Sequence, residues 1–191
     1  MLPAKSIIEI GHPDFHLRRW QLSDARSLAR YANSRKIWRN VRDTFPSPYT
    51  IEHAEEWIEA ASQCDLLYAI ANDVEAVGGI GLHPQPDVYR MSAEIGFWLG
   101  EPFWNKGIMT KAVIALTDVG FGHYRLVRVS AQVFGWNPAS ARVLEKAGYE
   151  QEGILRKAVF KDGRFTDCLL FGKTAPAGEP RAPGSRLPDN S

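Results

Sequence analysis

The most constraining stretch of this chain runs from Glu94 to Leu116 and changes character twice along its length. Ser92 to Leu99 is apolar and aromatic with one carboxylate, Glu94, set into it, which predicts a buried strand. Pro102 ends that strand, because a proline cannot donate to the hydrogen-bond ladder. From Met109 onward, apolar residues recur at helical spacing. The stretch therefore predicts a strand, a glycine-bearing loop and a helix.

The loop Asn105-Lys106-Gly107 lies where this predicted helix begins. The first-turn N–H groups of a helix have no partner within the helix, and the helix dipole adds positive potential at the same place. Helix N-termini with exposed backbone donors bind anions for this reason. We therefore expect this loop to hold a pyrophosphate.

Composition excludes several classes of protein. At 191 residues the chain has the length of one domain with a sizeable core, and its net charge of +1 suggests no extended nucleic-acid surface. Two cysteines argue against a disulfide framework or a zinc site, and the five histidines lack metal-ligand spacing, so no metal is expected. No apolar run approaches the roughly 20 residues that cross a bilayer, and the N-terminus lacks a signal-peptide core. These features predict a cytoplasmic protein that does not bind membranes.

The pattern along the chain predicts a mixed α/β fold with one mainly antiparallel sheet. The elements read as βαα, βββ, α, β, α, ββ, which gives about seven strands and about four helices. Residues 1–13 are expected to be a flexible lead-in, residues 14–173 the domain, and residues 174–191 a disordered, proline-rich tail. Asp162-Gly163 predicts a tight hairpin turn, and the glycines at 78, 79 and 81 predict a bulge or the close approach of another backbone.

Two segments carry a resemblance to a known family. Phe103 to Thr110 is followed by Asn137 to Gly153, which fits the pattern N-x-x-S-x-x-V-L-E-K-x-G-Y/F-x-x-E-G throughout. Together they resemble the GNAT superfamily of acetyl-CoA-dependent N-acetyltransferases. Within it the chain resembles the RimJ/RimL branch, whose named members acetylate N-terminal α-amino groups of ribosomal proteins. The resemblance covers roughly His16 to Lys173.

The resemblance implies acetyl-CoA as co-substrate and a specific place for it. In this family the Glu94 strand and the strand that starts near Leu126 splay apart, and pantetheine lies in the gap. The free edge of the Glu94 strand, at Trp98 and Leu99, would pair with the amide groups of pantetheine, as in β-augmentation. The residues implied for cofactor binding are Trp98, Leu99, Asn105, Lys106, Gly107, Ile108, Met109, Thr110 and Asn137.

The chain departs from the family pattern at three positions. Trp104 stands where the superfamily often has Arg or Gln, and Met109 where it often has Gly or Ala. The side chain of Met109 must therefore point away from the phosphates. Leu144 stands where many members place a tyrosine that acts as the general acid, so that proton donor is absent.

Two residues are candidates for the proton transfers. Glu94 is the candidate base, because a carboxylate in an apolar strand is costly to bury unless it is paired or protonated, and some superfamily members carry their base there. The alternative is a structural salt bridge to a nearby arginine. Ser140 matches a serine that the RimL-like branch offers near the sulfur, and its alternative is an ordinary first-turn helix serine.

The segment from Arg39 to Tyr49 is expected to form one wall of the acceptor site, together with 161–164. Within it, Asn40, Arg42 and Tyr49 are the predicted substrate-binding residues. The alternative is that both segments are plain solvated loops.

Three functions remain open from the sequence. The first is acetylation of a protein or peptide α-amine, and the second is acetylation of a small amine such as a polyamine, an aminoglycoside or an amino-sugar. The third is a non-catalytic module that binds acetyl-CoA. The expected partners are acetyl-CoA and an amine acceptor, with no nucleic acid and no membrane, and the protein is expected to be a monomer or homodimer.

Overall fold

The computed structural model describes residues 7–176 and contains eight strands and five α-helices within them. The strands are β1 Ile8–His12, β2 Phe15–Arg18, β3 Leu67–Ala71, β4 Ala76–Pro84, β5 Ser92–Leu99, β6 Arg128–Phe134, β7 Glu150–Lys161 and β8 Arg164–Thr174. The helices are α1 Ala25–Ala32, α2 Arg35–Trp38, α3 Ile51–Ser62, α4 Ile108–Gly122 and α5 Pro138–Lys146, with 3₁₀ turns at Leu22–Asp24, Asp87–Tyr89 and Glu101–Phe103. None of these helices is long and apolar enough to cross a membrane.

All eight strands form one sheet in the order β1-β2-β3-β4-β5-β6-β8-β7. Every neighbouring pair is antiparallel except β5 and β6, which are parallel. That parallel pair is short, because it ends at the pair Glu94–Ser130 while β5 runs on to Leu99 and β6 to Phe134. The mixed, mainly antiparallel sheet is confirmed, and the two central strands separate as the family resemblance implies.

The first strand corrects the prediction of a flexible lead-in over residues 1–13. Residues 8–12 pair with β2, with Ile8 opposite Leu17, and Ile10 is buried in the core. This strand is short and has only two apolar residues in alternation, so its pattern alone was too weak to predict it. Its addition raises the strand count from about seven to eight. Residues 1–6 and the greater part of the tail predicted at 174–191 lie outside the described residues.

Two hydrophobic clusters cover the two faces of the sheet. The larger one packs α4 and the buried residues of α5 against the strands, with Ile108, Val113 and Leu116 fully buried. The other packs α1 and α3 against the opposite face, with Leu28 and Ile58 at its centre. The buried residues of β6, which are Val129, Ala131 and Val133, belong to the larger cluster.

The glycines of β4 allow another backbone to approach closely, as their spacing predicts. A β-carbon at Gly78 would lie 2.5 Å from the carbonyl oxygen of Trp98 in β5, well inside van der Waals contact. The register between β3 and β4 also shifts next to Ala71, which adds the predicted bulge. Gly78 thus sets the distance between β4 and the end of β5.

Replacing Gly78 by Ala should reduce the free energy of unfolding by about 1–3 kcal/mol, because the methyl group has backbone atoms against it and β5 must shift. Gly122→Ala is the matched control, since nothing lies within 4 Å of a β-carbon there. That control should be neutral or slightly stabilising. Chemical denaturation of both variants checks the prediction, and equal stabilities would contradict the close packing of β4 on β5.

Candidate active site

A cavity of about 520 Å³ opens where β5 and β6 separate, and we call it the central cavity. It lies among the end of β5, the start of α4, the segment around α2 and the start of α5. The predicted site residues that line it are Asn40, Trp98, Leu99, Asn105, Lys106, Gly107, Ile108, Met109, Thr110, Asn137 and Ser140. Glu94, Arg42 and Tyr49 are not part of its lining. The structure therefore brings together every predicted cofactor residue and separates three of the other candidates from them.

The start of α4 exposes backbone donors to the central cavity. Gly107 precedes the helix with φ of 77°, a left-handed conformation that suits glycine. The first helical hydrogen bond runs from the N–H of Lys111 to the carbonyl of Gly107, so the preceding first-turn N–H groups have no helical acceptor. The side chain of Met109 is 7% exposed and belongs to the larger hydrophobic cluster, and the residue also borders the central cavity.

The lining of the central cavity is basic. Its charged residues are Lys36, Arg39, Lys106, Arg142 and Lys146, and none of its residues is Asp or Glu. Two of these cations are paired at the surface, Lys36 with Glu101 at 2.8 Å and Arg142 with Glu145 at 3.0 Å. Cations around a helix N-terminus give the chemistry that binds phosphate groups.

Trp104 has a structural role that explains its departure from the family pattern. Its indole Nε1 donates to the carbonyl oxygen of Leu99 at 2.6 Å, which ties the loop before α4 to the end of β5. The neighbouring Trp98 packs edge-on against Phe45, with 6.0 Å between the ring centroids. Both contacts fix the free end of β5 beside the cavity, where the strand edge can pair with an extended ligand.

Asn137 and Ser140 are bonded to each other at the start of α5. The side-chain oxygen of Asn137 accepts from the backbone N–H of Ser140 at 3.2 Å, and its Nδ2 donates to the Ser140 hydroxyl oxygen at 2.9 Å. Asn137 is thus an N-cap, and one of its two amide N–H groups is already used within the protein. The hydroxyl proton of Ser140 has no acceptor among the described residues, so it remains available as a donor.

Glu94 forms an ion pair outside the central cavity. Its Oε1 lies 2.6 Å from Nη2 of Arg42, and its side chain is 22% exposed. Opposite it on β4 lies His83. Burial lowers the pKa of His83 below its ordinary value, with the Glu94 carboxylate opposing part of that change. His83 is therefore neutral at pH 7, and Arg42 is the charge that holds Glu94.

Tyr49 lies in the core rather than at a binding surface. Its side chain is 5% exposed and packs against Phe45, with ring centroids 4.8 Å apart. Burial raises the pKa of Tyr49 to about 12, so its phenol stays protonated at neutral pH. Tyr49 was predicted to bind substrate as part of the acceptor wall, but here its ring packs in the core and anchors the loop.

The two segments predicted to form the acceptor wall contact each other. Lys161 is 3% exposed, and its Nζ lies 2.6 Å from Asp43 and 3.8 Å from the centroid of the Trp38 ring. Asp162 accepts two hydrogen bonds from Arg35 at 2.7 and 2.9 Å. The tip of the β7–β8 hairpin therefore holds the segment that carries Asn40 in place. Neither predicted loop, taken alone, could indicate this contact between the two.

Two polar atoms around the cavity have no hydrogen-bond partner in the described part of the chain. They are Oδ1 of Asn40 and Nε1 of Trp136, and each is buried. Trp136 is also in the cavity lining, and the sequence analysis did not single it out as a site residue. Its position directly before the N-cap Asn137 was the one indication of a site role.

A comparison with protein families decides the assignment, because residues 14–150 match the family described as Acetyltransferase (GNAT) domain. The chain belongs to the GNAT acetyltransferase family. It is an acetyl-CoA-dependent N-acetyltransferase. Its structural neighbours include RimJ of Mycobacterium smegmatis in complex with CoA-disulfide, at 25% identity and a TM-score of 0.74, over 84% of this chain and 82% of that one.

Similar proteins fall within the same family. The chain is 39% identical over 129 residues to the probable N-acetyltransferase YjcK of Bacillus subtilis, covering 68% of this chain and 71% of that one. RimL, the ribosomal L7/L12 α-N-protein acetyltransferase in complex with coenzyme A, superposes with a TM-score of 0.77 at 21% identity, over 88% of this chain and 98% of that one. The microcin C7 self-immunity acetyltransferase MccE, in complex with acetyl-CoA and AMP, superposes with a TM-score of 0.76 at 23% identity. The superposition covers 91% of this chain and 97% of that one. These two structures support the fold.

The central cavity of this GNAT domain fits acetyl-CoA by its own features. The first turn of α4 offers unpaired N–H groups, the lining is basic, and the edge of β5 beyond Glu94 is free of β6. A β-carbon at Gly107 would meet no atom within 4 Å, so the backbone there is open to a phosphate. No group of three or more His, Cys, Asp or Glu side chains within residues 7–176 is arranged to hold a metal ion.

Replacing Gly107 by Ala should raise the Kd for coenzyme A about 10-fold, because a left-handed alanine is strained by about 1–2 kcal/mol and the loop relaxes away from the geometry that presents its donors. Gly163→Ala is the matched control, since Gly163 has φ of 71° and is equally open but lies in the β7–β8 turn. It should lose similar stability and keep its affinity. Calorimetric titration measures both, and equal affinities in the two variants would contradict the phosphate site.

Proposed function

We propose that this enzyme acetylates the α-amino group of a peptide or protein N-terminus. The observation that carries the proposal is the lining of the central cavity, which contains five basic residues and no Asp or Glu. An acceptor with several positive charges, such as a polyamine or an aminoglycoside, would be repelled by this lining and would find no carboxylate in it. A peptide end brings one amine and a neutral or acidic continuation.

The single candidate base also suits an α-amine. An α-amino group has a pKa of about 7.8 and is partly neutral at pH 7, whereas a lysine side chain near 10.4 costs roughly 3.5 kcal/mol more to deprotonate. One carboxylate, Glu94, acting through water, is enough for the first acceptor. This difference supports a protein or peptide N-terminus over a lysine side chain.

The chain's own residues divide the binding work. Acetyl-CoA, when bound, supplies an acetyl group activated as a thioester. The N–H groups at the start of α4 and the side chain of Lys106 would hold its diphosphate. The edge of β5 at Trp98 and Leu99 would align its pantetheine arm, and the backbone N–H near Trp98 would polarise the acetyl carbonyl.

Two side chains would move the protons. Glu94 would accept the proton of the attacking amine through water, which requires Arg42 to release the carboxylate when the acceptor enters. The hydroxyl of Ser140, whose oxygen already accepts from Asn137, would donate its proton to the leaving sulfur. Its position in the first turn of α5 stabilises negative charge nearby.

Acetylation of a small molecule is the second candidate function. One observation favours it, since MccE has the same fold and its structure contains AMP as well as acetyl-CoA. The third is a pure acetyl-CoA-binding module. It has one argument in the chain, since Leu144, at the position of the family tyrosine, is fully buried and cannot donate a proton.

Thiol release from acetyl-CoA in the presence of an amine panel should separate these functions. We expect the highest kcat/KM with short peptides that have a free N-terminus, at least 10-fold above N-terminally blocked peptides that contain lysine, because of the difference in amine pKa. Spermidine and kanamycin are the small-amine arms. A preference for either of them would overturn the N-terminal assignment, and an absence of thiol release with every amine would leave only the binding module.

Replacing Glu94 by Gln should lower kcat/KM for the preferred peptide about 100-fold or more and shift the acid limb of the pH–rate profile, since a general base contributes on that scale. Glu75→Gln, which breaks an ion pair with Arg30 outside the central cavity, is the matched control. Arg42→Gln keeps the carboxylate and should therefore keep the acid limb. If Arg42→Gln and Glu94→Gln have the same profile, the ion pair is structural and Glu94 is not the base.

A further inference from the structure

Asn40 and Trp136 present two unused hydrogen-bonding atoms at the central cavity. Oδ1 of Asn40 is an acceptor and Nε1 of Trp136 is a donor, and within residues 7–176 they are the two buried side-chain atoms without a partner. A buried polar atom left unpaired costs about 1–3 kcal/mol, and native proteins leave few of them. Both residues line the same cavity, so a ligand in it can satisfy both.

The two residues belong to one wall of the cavity. The guanidinium of Arg39 lies 5.5 Å from the centroid of the Trp136 ring, and Asn40 is the next residue along the chain. The Asn40 amide is oriented by its Nδ2, which donates to the carbonyl of Lys36 at 2.9 Å and leaves the buried Oδ1 without a partner. The Trp136 ring is held edge-on by Phe134 at 6.3 Å. Both side chains are therefore fixed in advance of binding.

Their position relates them to the acceptor rather than to the cofactor. Asn40 lies two residues before Arg42, whose guanidinium holds the candidate base Glu94. The amides of pantetheine have the free edge of β5 available, and the diphosphate has the donors of α4. Neither contact uses the unpaired atoms of Asn40 and Trp136.

We infer that Asn40 and Trp136 recognise the first residue of the acceptor, an α-amino acyl group. This inference rests on the proposed function. Oδ1 of Asn40 accepts from the N–H of the attacking α-amine, and Nε1 of Trp136 donates to the carbonyl oxygen that follows it. A simple alkylamine offers the first contact and lacks the second. The pair therefore selects amines with a carbonyl on the adjacent carbon, because a site built to donate to that oxygen loses a bond with any analogue that lacks it.

Trp136→Phe tests this inference, since it removes the N–H and keeps most of the aromatic surface. Two acceptors are compared, a short peptide with N-terminal alanine and isopropylamine, which has the same carbon skeleton around the nitrogen without the carbonyl. We expect kcat/KM for the peptide to fall about 3- to 10-fold, the range of one neutral hydrogen bond, with the value for isopropylamine unchanged. Trp57→Phe, on the partly exposed face of α3, is the matched control and should change neither. Asn40→Ala should reduce kcat/KM for both acceptors.

The Kd for acetyl-CoA, measured by calorimetry on each variant, distinguishes the acceptor from the cofactor and reports on folding. An unchanged Kd together with a loss confined to the peptide supports the inference. A weaker Kd in Trp136→Phe assigns the N–H to the cofactor and overturns it, as does an equal loss with both acceptors or no loss with the peptide. If the wild-type protein binds acetyl-CoA but acetylates no amine, the proposed function itself fails and the inference falls with it.

Discussion

The early end of the pairing between β5 and β6 is the constraint on which the site depends. The two strands share a parallel ladder only as far as Glu94 and Ser130, and each then continues without the other. An edge left open inside a sheet is normally a liability, since its N–H and C=O groups lack partners. Here the end of β5 lines the central cavity through Phe97, Trp98 and Leu99. The anion-binding start of α4 and the capped start of α5 border the same opening.

The two sides of this opening differ in which parts of the chain form them, backbone on one side and side chains on the other. The proposed cofactor side is made from backbone, namely the first turn of α4 and the strand edge, whose geometry is set by Gly107 and Gly78. The proposed acceptor side is made from side chains on irregular segments, and it is held by ion pairs such as Lys161 with Asp43. Backbone geometry tolerates many side chains, whereas an ion pair depends on both of its members. The two sides therefore respond differently to substitution.

Much of this architecture could be predicted from local pattern. The bounds of β5 agree with those read from the sequence, because Pro102 marks the end of the strand clearly. The Asp162-Gly163 turn has positive φ at both residues, as an Asp-Gly hairpin requires. The residues predicted to bind the cofactor all line the central cavity, and most of them are close in sequence at the start of α4.

The features that could not be predicted all depend on residues distant in sequence. The partner of Glu94 is 52 positions away, and the loop that carries it has no regular periodicity. Tyr49 resembled a solvent-facing loop residue, and only the packing of Phe45 on it shows that it is buried. The unsatisfied donor of Trp136 cannot be read from composition, since tryptophan in a core and tryptophan at a site look alike until their neighbours are known. Local pattern thus predicted most of the residues that line the central cavity, whereas the contacts of Glu94 and Tyr49 required the structure.

The match to the family ends at residue 150, yet the hairpin of β7 and β8 lies beyond it and grips the acceptor segment through Lys161 and Asp162. The part of the molecule that fastens the acceptor wall is therefore separate along the chain from the part that carries the α4 cofactor loop. Insertions or substitutions at this hairpin tip offer an evolutionary route to new acceptors that leaves the loop at the start of α4 unchanged.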